Sequence, residues 1–183
     1  MNEFKDFLET LKQPEYIHVL LNPLPVYGLG MALLVFIIGS VVKSRGVQAV
    51  GLVLILLTCA SGWIVEHYGE EGYDRVEAMV SEKEKAWLDA HKERGERAVW
   101  VLYAEGLVAI LGLIALGIFP RAMQFLGTAA IIVGLAAFFM TVWTAHAGGK
   151  IRHKEFYEGP PPGYEKAKQQ PQKTDDAPLP KSE

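Results

Sequence analysis

The chain has five histidines, at positions 18, 67, 91, 146 and 153. Histidine is the side chain that, near neutral pH, both carries protons and ligates transition metals as a neutral ring. His67 and His146 each close a long apolar run, and His91 stands just before another. Their placement lets three imidazoles meet at one depth. Convergent imidazoles have two common uses. They bind zinc or copper, or a pair on facing helices clamps a haem iron from both sides. The spacing selects neither use, because it contains no His-x-x-x-His within a helix and no Cys-x-x-Cys-His for covalent haem. Plain interfacial histidines at helix ends are a third reading of the same positions.

Glu105 is the other residue with chemical potential. It interrupts the apolar run 98–119. A carboxyl inside a membrane is costly and usually faces a partner or a cavity. It stands 14 residues after His91, which on one continuous helix is only about 40° off the same face. Glu105 therefore lies beneath His91 on one stripe. That position suits a proton relay, a metal ligand or a group that orients a histidine. It equally suits a protonated acid bonded to a neighbouring helix.

The elements that must carry these groups follow from composition. The 183 residues are 50% hydrophobic and 21% charged, with a mean hydropathy of +0.16. That mean hides a split. Four blocks, about 24–42, 47–65, 98–119 and 125–145, are almost free of charge. Each is close to the roughly 20 residues that cross a bilayer core of about 30 Å. They lack the alternation of barrel strands, so they read as four transmembrane helices. The first block starts late, without a basic region before it or a small-residue cleavage site after it, and reads as a span rather than a signal peptide. A soluble globular enzyme is excluded. So is a secreted disulfide scaffold, since Cys59 is the single cysteine and lies inside a span. The fold class is an all-α integral membrane four-helix bundle.

An even number of spans puts both termini and the middle connection on one side, here face A. Face B holds two short turns, with Lys43, Arg45 and Arg121, while the remainder of the 18 Lys and Arg fall on face A. Face A also has far more exposed chain, so the positive-inside rule does not choose an orientation. Residues 1–14 form an amphipathic interfacial helix, with Phe4, Phe7, Leu8 and Leu11 on one face and Pro14 as its stop. Pro23 and Pro25 are expected to break the chain before the first span. The transmembrane domain covers 15–155, with a helical loop at 66–97. In that loop Ser81 and Glu84 form a capping box, and a helix from Glu82 runs toward the third span. The Pro-rich tail, 156–183, is expected to be disordered. Trp63, Trp100, Trp143, Tyr68 and Tyr103 make an aromatic belt. Arg75, Arg94, Arg97 and Arg152 are expected to pair with Glu66, Glu70 or Glu71, or with haem propionates. Ala130-x-x-x-Gly134 is a small-residue packing motif. The loop's charges are mixed in sign, so no nucleic-acid surface is expected.

The string from His146 to His153, with Gly148-Gly149 inside it, closes the fourth span. Together with His18 ahead of Pro23–Pro25, and Ser61-Gly62-Trp63, it resembles a bacterial family of small four-helix membrane proteins with a domain of unknown function. In that family a His-Pro-type segment precedes the first helix and a Gly-Gly motif follows the last. The resemblance covers roughly 15–155. This chain departs from it with Asn22-Pro23-Leu24-Pro25, where the family favours a His-Pro start and a further histidine. Some relatives stand beside c-type cytochrome domains, which implies a redox setting, a bacterial inner membrane and an outward face A.

Three functional readings result. One is a structural or accessory subunit of a membrane complex. Another is a haem b-binding electron-transfer module with ligands among His67, His91 and His146. The third is a small oligomeric transporter. No phosphate-binding loop, nucleophile elbow or zinc-protease helix is present, so a conventional enzyme is not expected. The expected partners are the bilayer, other membrane subunits and a c-type cytochrome.

Overall fold

The computed structural model describes residues 2–156, and the tail from residue 157 on lies outside them. Every element among the described residues is helical: α1 (Asn2–Thr10), α2 (Pro14–Leu21), a π turn (Leu24–Gly28), α3 (Leu29–Val41), α4 (Arg45–Glu77), α5 (Glu82–Ile118), α6 (Pro120–Arg152) and a final 3₁₀ turn (Lys154–Phe156). Four stretches are long and apolar enough to cross a membrane, beginning at Pro14, Arg45, Glu82 and Pro120. Val41, Leu107, Phe125, Ile132 and Phe139 on their outer faces are each more than half exposed. A soluble bundle would turn polar faces outward. This one is built for lipid.

Two elements differ from expectation. Pro23 and Pro25 do not break the chain. They fall where α2 passes into α3 through a π turn, so Pro14–Val41 runs as one helical stretch. Each proline lacks an N–H and crowds the preceding turn. Widening the helix by a residue is a known way to absorb that locally. The connection at 66–97 is also less of a loop than expected. α4 has 33 residues, about 50 Å at 1.5 Å per residue, so it continues well past the span. The turn itself is only Ala78–Ser81. Ser81 then starts α5 with the expected capping box, its N–H donating to Glu84 Oε2 at 2.8 Å.

Both short turns lie at one end of the bundle. Arg45, in the first turn of α4, donates to the carbonyl of Leu116 near the end of α5. That carbonyl is one of the last four in the helix, which have no helical partner, and a cation there also suits the helix dipole. Ser44 caps α4 by accepting from Val47 N–H at 3.4 Å.

The core holds Leu29, Leu33, Phe36, Leu52, Ile55, Leu102 and a set of alanines. Lipid tails are as apolar as these side chains, so close packing rather than escape from water holds the helices together. Glycine permits that closeness. A Cβ on Gly51 would lie 2.6 Å from Cα of Phe36, and one on Gly39 would lie 2.7 Å from the backbone nitrogen of Gln48. α3 and α4 therefore touch backbone to backbone.

Gly51→Ala is expected to destabilise the bundle by about 1–3 kcal/mol, the usual cost of overpacking. Gly46, which has open space around it, serves as the control: Gly46→Ala is expected to be neutral or stabilising by up to about 1 kcal/mol. Thermal unfolding in detergent, followed by circular dichroism, separates the two.

Candidate functional site

At the face A end, α2, α4, α5 and α6 line a partly open cavity of about 410 Å³. α2 is the element that closes it. Its backbone comes against α4 at Gly72, where a Cβ would meet the Glu15 nitrogen at 3.0 Å. Glu15 also accepts an ion pair from Arg75 of α4 at 2.8 Å. Gly62, Leu102 and Thr141 line the cavity on the bundle side.

Two histidines face each other in this space. His18 of α2 bonds through Nδ1 to the Val65 carbonyl of α4 at 2.8 Å. His91 of α5 bonds through Nδ1 to the Thr144 carbonyl of α6 at 2.9 Å. A carbonyl oxygen can only accept, so Nδ1 carries the proton in both rings. In the neutral ring, Nε2 then keeps its lone pair. Each ring also rests on a glycine. A Cβ on Gly69 would lie 2.8 Å from His18 Nδ1, and one on Gly148 would lie 2.9 Å from His91 Cε1. The ring centroids are 5.9 Å apart, with the planes at 90°. Four helices thus fix two imidazoles, and the fixing bond is the one that orients metal-binding histidines generally.

The expected trio does not come together. His91 lines the cavity, but His67 and His146 are exposed and do not. His67 stacks on Trp63 at 5.9 Å, and His146 meets the edge of Trp87 at 6.4 Å. Both close their spans on the outward side of the helix, where the aromatic belt runs. His153 lies past α6 and bonds to Glu155 at 2.8 Å. That bond, after one from Glu155's own backbone, holds the Glu155 carboxyl below its usual range. His18 replaces the two absent members. The sequence marked it only as a histidine ahead of the first span.

No family model, curated protein or solved structure matches the chain. The site therefore rests on its own geometry.

The arginines pair differently from expectation. Arg75 takes Glu15, and Arg97 takes Glu93 at 2.5 Å within α5. Arg94 donates to the Trp143 carbonyl at 3.2 Å and stacks over that ring. Charged groups four residues apart on a helix, or on a helix packed alongside, meet before more distant ones do. Arg152 lines the cavity, as do Lys92, Glu66, Glu70 and Glu96. The charge around it is mixed.

Glu105 is fully buried, and neither carboxyl oxygen has a hydrogen-bond partner among the described residues. It lies one turn further into the bundle than Leu102, on the same helix as His91. It does not orient either histidine; backbone carbonyls do that.

Two histidines in the Nδ1–H form are expected in ¹⁵N spectra of histidine-labelled protein at pH 8. His18→Ala should remove one of the two signals and His91→Ala the other. His67→Ala and His146→Ala should leave both in place.

Proposed function

We propose that the chain is a multi-pass protein of a bacterial cytoplasmic membrane that holds haem b through His18 and His91 and serves electron transfer. One observation carries the reading: two imidazoles from different helices, each pinned through Nδ1, lie 5.9 Å apart within one cavity. With metal–nitrogen bonds of about 2 Å, two imidazoles on opposite sides of one ion have centroids about 6 Å apart. The spacing fits.

The number of ligands favours haem over a bare ion. Structural zinc asks for four protein ligands. Among the described residues no group of three or more His, Cys, Asp or Glu is placed to hold a metal. Haem iron brings four nitrogens of its own and asks the protein only for axial ligands, commonly histidine. Val19, Val26, Val99 and Leu102 supply apolar wall, and Lys92 and Arg152 supply cations for propionates. When bound, the haem supplies one-electron chemistry. The chain's own residues orient the ligands, keep water from one side and set the local charge.

Membership of a larger membrane complex, with a c-type cytochrome as redox partner, fits the same site. It draws support from the resemblance carried by His18 and the His146–His153 string. An accessory subunit held by packing alone would have no use for a cavity lined by two oriented imidazoles.

Protein purified in detergent and supplied with haemin is expected to show a Soret band, with sharp visible bands on reduction by dithionite. His18→Ala and His91→Ala should each abolish the six-coordinate spectrum, while His67→Ala and His146→Ala should not. A folded wild-type protein with no Soret band rejects the proposal, and so does a spectrum indifferent to both His18 and His91.

A further inference from the structure

The cavity leaves Glu105 unexplained. Its side chain is among the largest with no exposure at all, yet both oxygens lack partners among the described residues. Buried polar groups are nearly always bonded, and an exception asks for a reason. The surrounding fold makes room for this one. A Cβ on Gly134 of α6 would lie 3.0 Å from Oε1 of Glu105 and 2.5 Å from Leu33 of α3. Alanine there would clash with Leu33 and crowd the Glu105 carboxyl. The carboxyl therefore occupies a notch that α6 leaves open.

The ligand for this notch is constrained by what surrounds it. A bare metal cation needs about six oxygen donors. Among the described residues the other buried polar side chains are committed to their own helices: Ser61 donates to the Thr58 carbonyl at 2.7 Å and Thr141 to the Phe138 carbonyl at 2.8 Å. α6 presents Ala130, Gly134 and Ala137, and α3 presents Leu29 and Leu33. The titratable group contributed by the helices packed around it is the Cys59 thiol of α4, which lies against Gly106. Among the described residues no cation pairs with it. An unpaired charge in such a place is costly, so the acid is held neutral.

The way out is asymmetric. Leu102 and Thr141 are both buried and line the cavity, and Glu105 does not line it. Leu102 is three residues away, about 4.5 Å along the helix. Toward face B the helix continues through Ala109, Gly112, Ala115 and Leu116, all buried, for about 20 Å to its end.

We propose that Glu105 is a proton-binding site inside the membrane bundle, exchanging its proton with face A through the floor of the cavity at Leu102 and Thr141. The exchange moves a proton from the carboxylic acid O–H to water in the cavity and back, with no change in oxidation state. The site does not depend on haem. If haem is bound in the cavity, a proton on Glu105 becomes a means of balancing charge when the iron is reduced.

Infrared spectroscopy of the full chain in lipid nanodiscs tests this. One carbonyl band of a protonated carboxylic acid, above the amide I region, is expected at neutral pH and should be lost in Glu105→Gln. Glutamine is nearly isosteric with the neutral acid, so the variant should fold. Should it fail to fold, wild-type protein carrying ¹³C-glutamate must show the same band shifted to lower frequency. In D₂O the band should move as the O–H exchanges. Leu102→Ala, which opens the floor, should speed that exchange several-fold, and Leu116→Ala, on the face B side, should leave it unchanged. Absence of a protonated band in folded protein overturns the site. Exchange accelerated by Leu116→Ala and not by Leu102→Ala overturns the route.

Discussion

Lipid removes the ordinary reason for burying an apolar side chain, because the membrane is as apolar as the core. What remains is contact, and contact improves as backbones come closer. This constraint explains where several of the glycines stand. Gly39 and Gly51 bring α3 and α4 together, Gly62 receives Leu102, and Gly134 receives Leu33. The same device is then used for chemistry. Gly69 and Gly148 receive imidazole rings, and the notch at Gly134 admits a carboxyl. Packing and site are one pattern of small residues, continued from the membrane into the cap.

The polar groups follow the rule that backbone in lipid must be satisfied within the helix. Serine and threonine inside the spans turn back onto their own helices: Ser40 donates to the Phe36 carbonyl and Thr58 to that of Ile55. Side chains cross from helix to helix at the two ends of the bundle: at face B Arg45 reaches the Leu116 carbonyl of α5 and Gln48 the Gly39 carbonyl of α3, and others cross at the face A end. His18 reaches α4, His91 and Arg94 reach α6, and Tyr73 donates to Asp89 at 2.5 Å. Cross-links of this kind belong where water is at hand for whatever stays unpaired. Glu105 breaks the rule inside the bundle, which is what singles it out.

Much of this was legible in the residues. The four charge-free blocks located the spans, and the Ser81/Glu84 pair located the start of α5. Hydropathy, however, marks where a helix meets lipid and not where it ends. The charged extension of α4 therefore read as part of a separate helical connection, although it is continuous helix as far as Glu77, while the helix expected from Glu82 does run on into the third span. Pro23 and Pro25 obey a local rule that neighbouring helices override through a π turn. His91 and Glu105 were visible as unusual residues on one stripe. His18 was visible only as a histidine ahead of a span. Its pairing with His91 depends on α2 packing onto α4 at Gly72, a long-range contact that no local spacing encodes. His67 and His146 were visible as histidines closing two spans, but that position does not say which way a side chain turns about the helix.

The pairing of His18 with His91 is best tested through the orientation of the rings, since the two planes stand at 90°. Low-temperature electron paramagnetic resonance of the ferric, haem-loaded protein reads that angle. Crossed imidazole planes give a low-spin signal with a large maximal g value. That signal is expected in the wild type, with conversion to a high-spin signal when either His18 or His91 is replaced by alanine. A low-spin signal that survives the loss of both histidines, or a wild type that is high-spin throughout, would contradict the pairing.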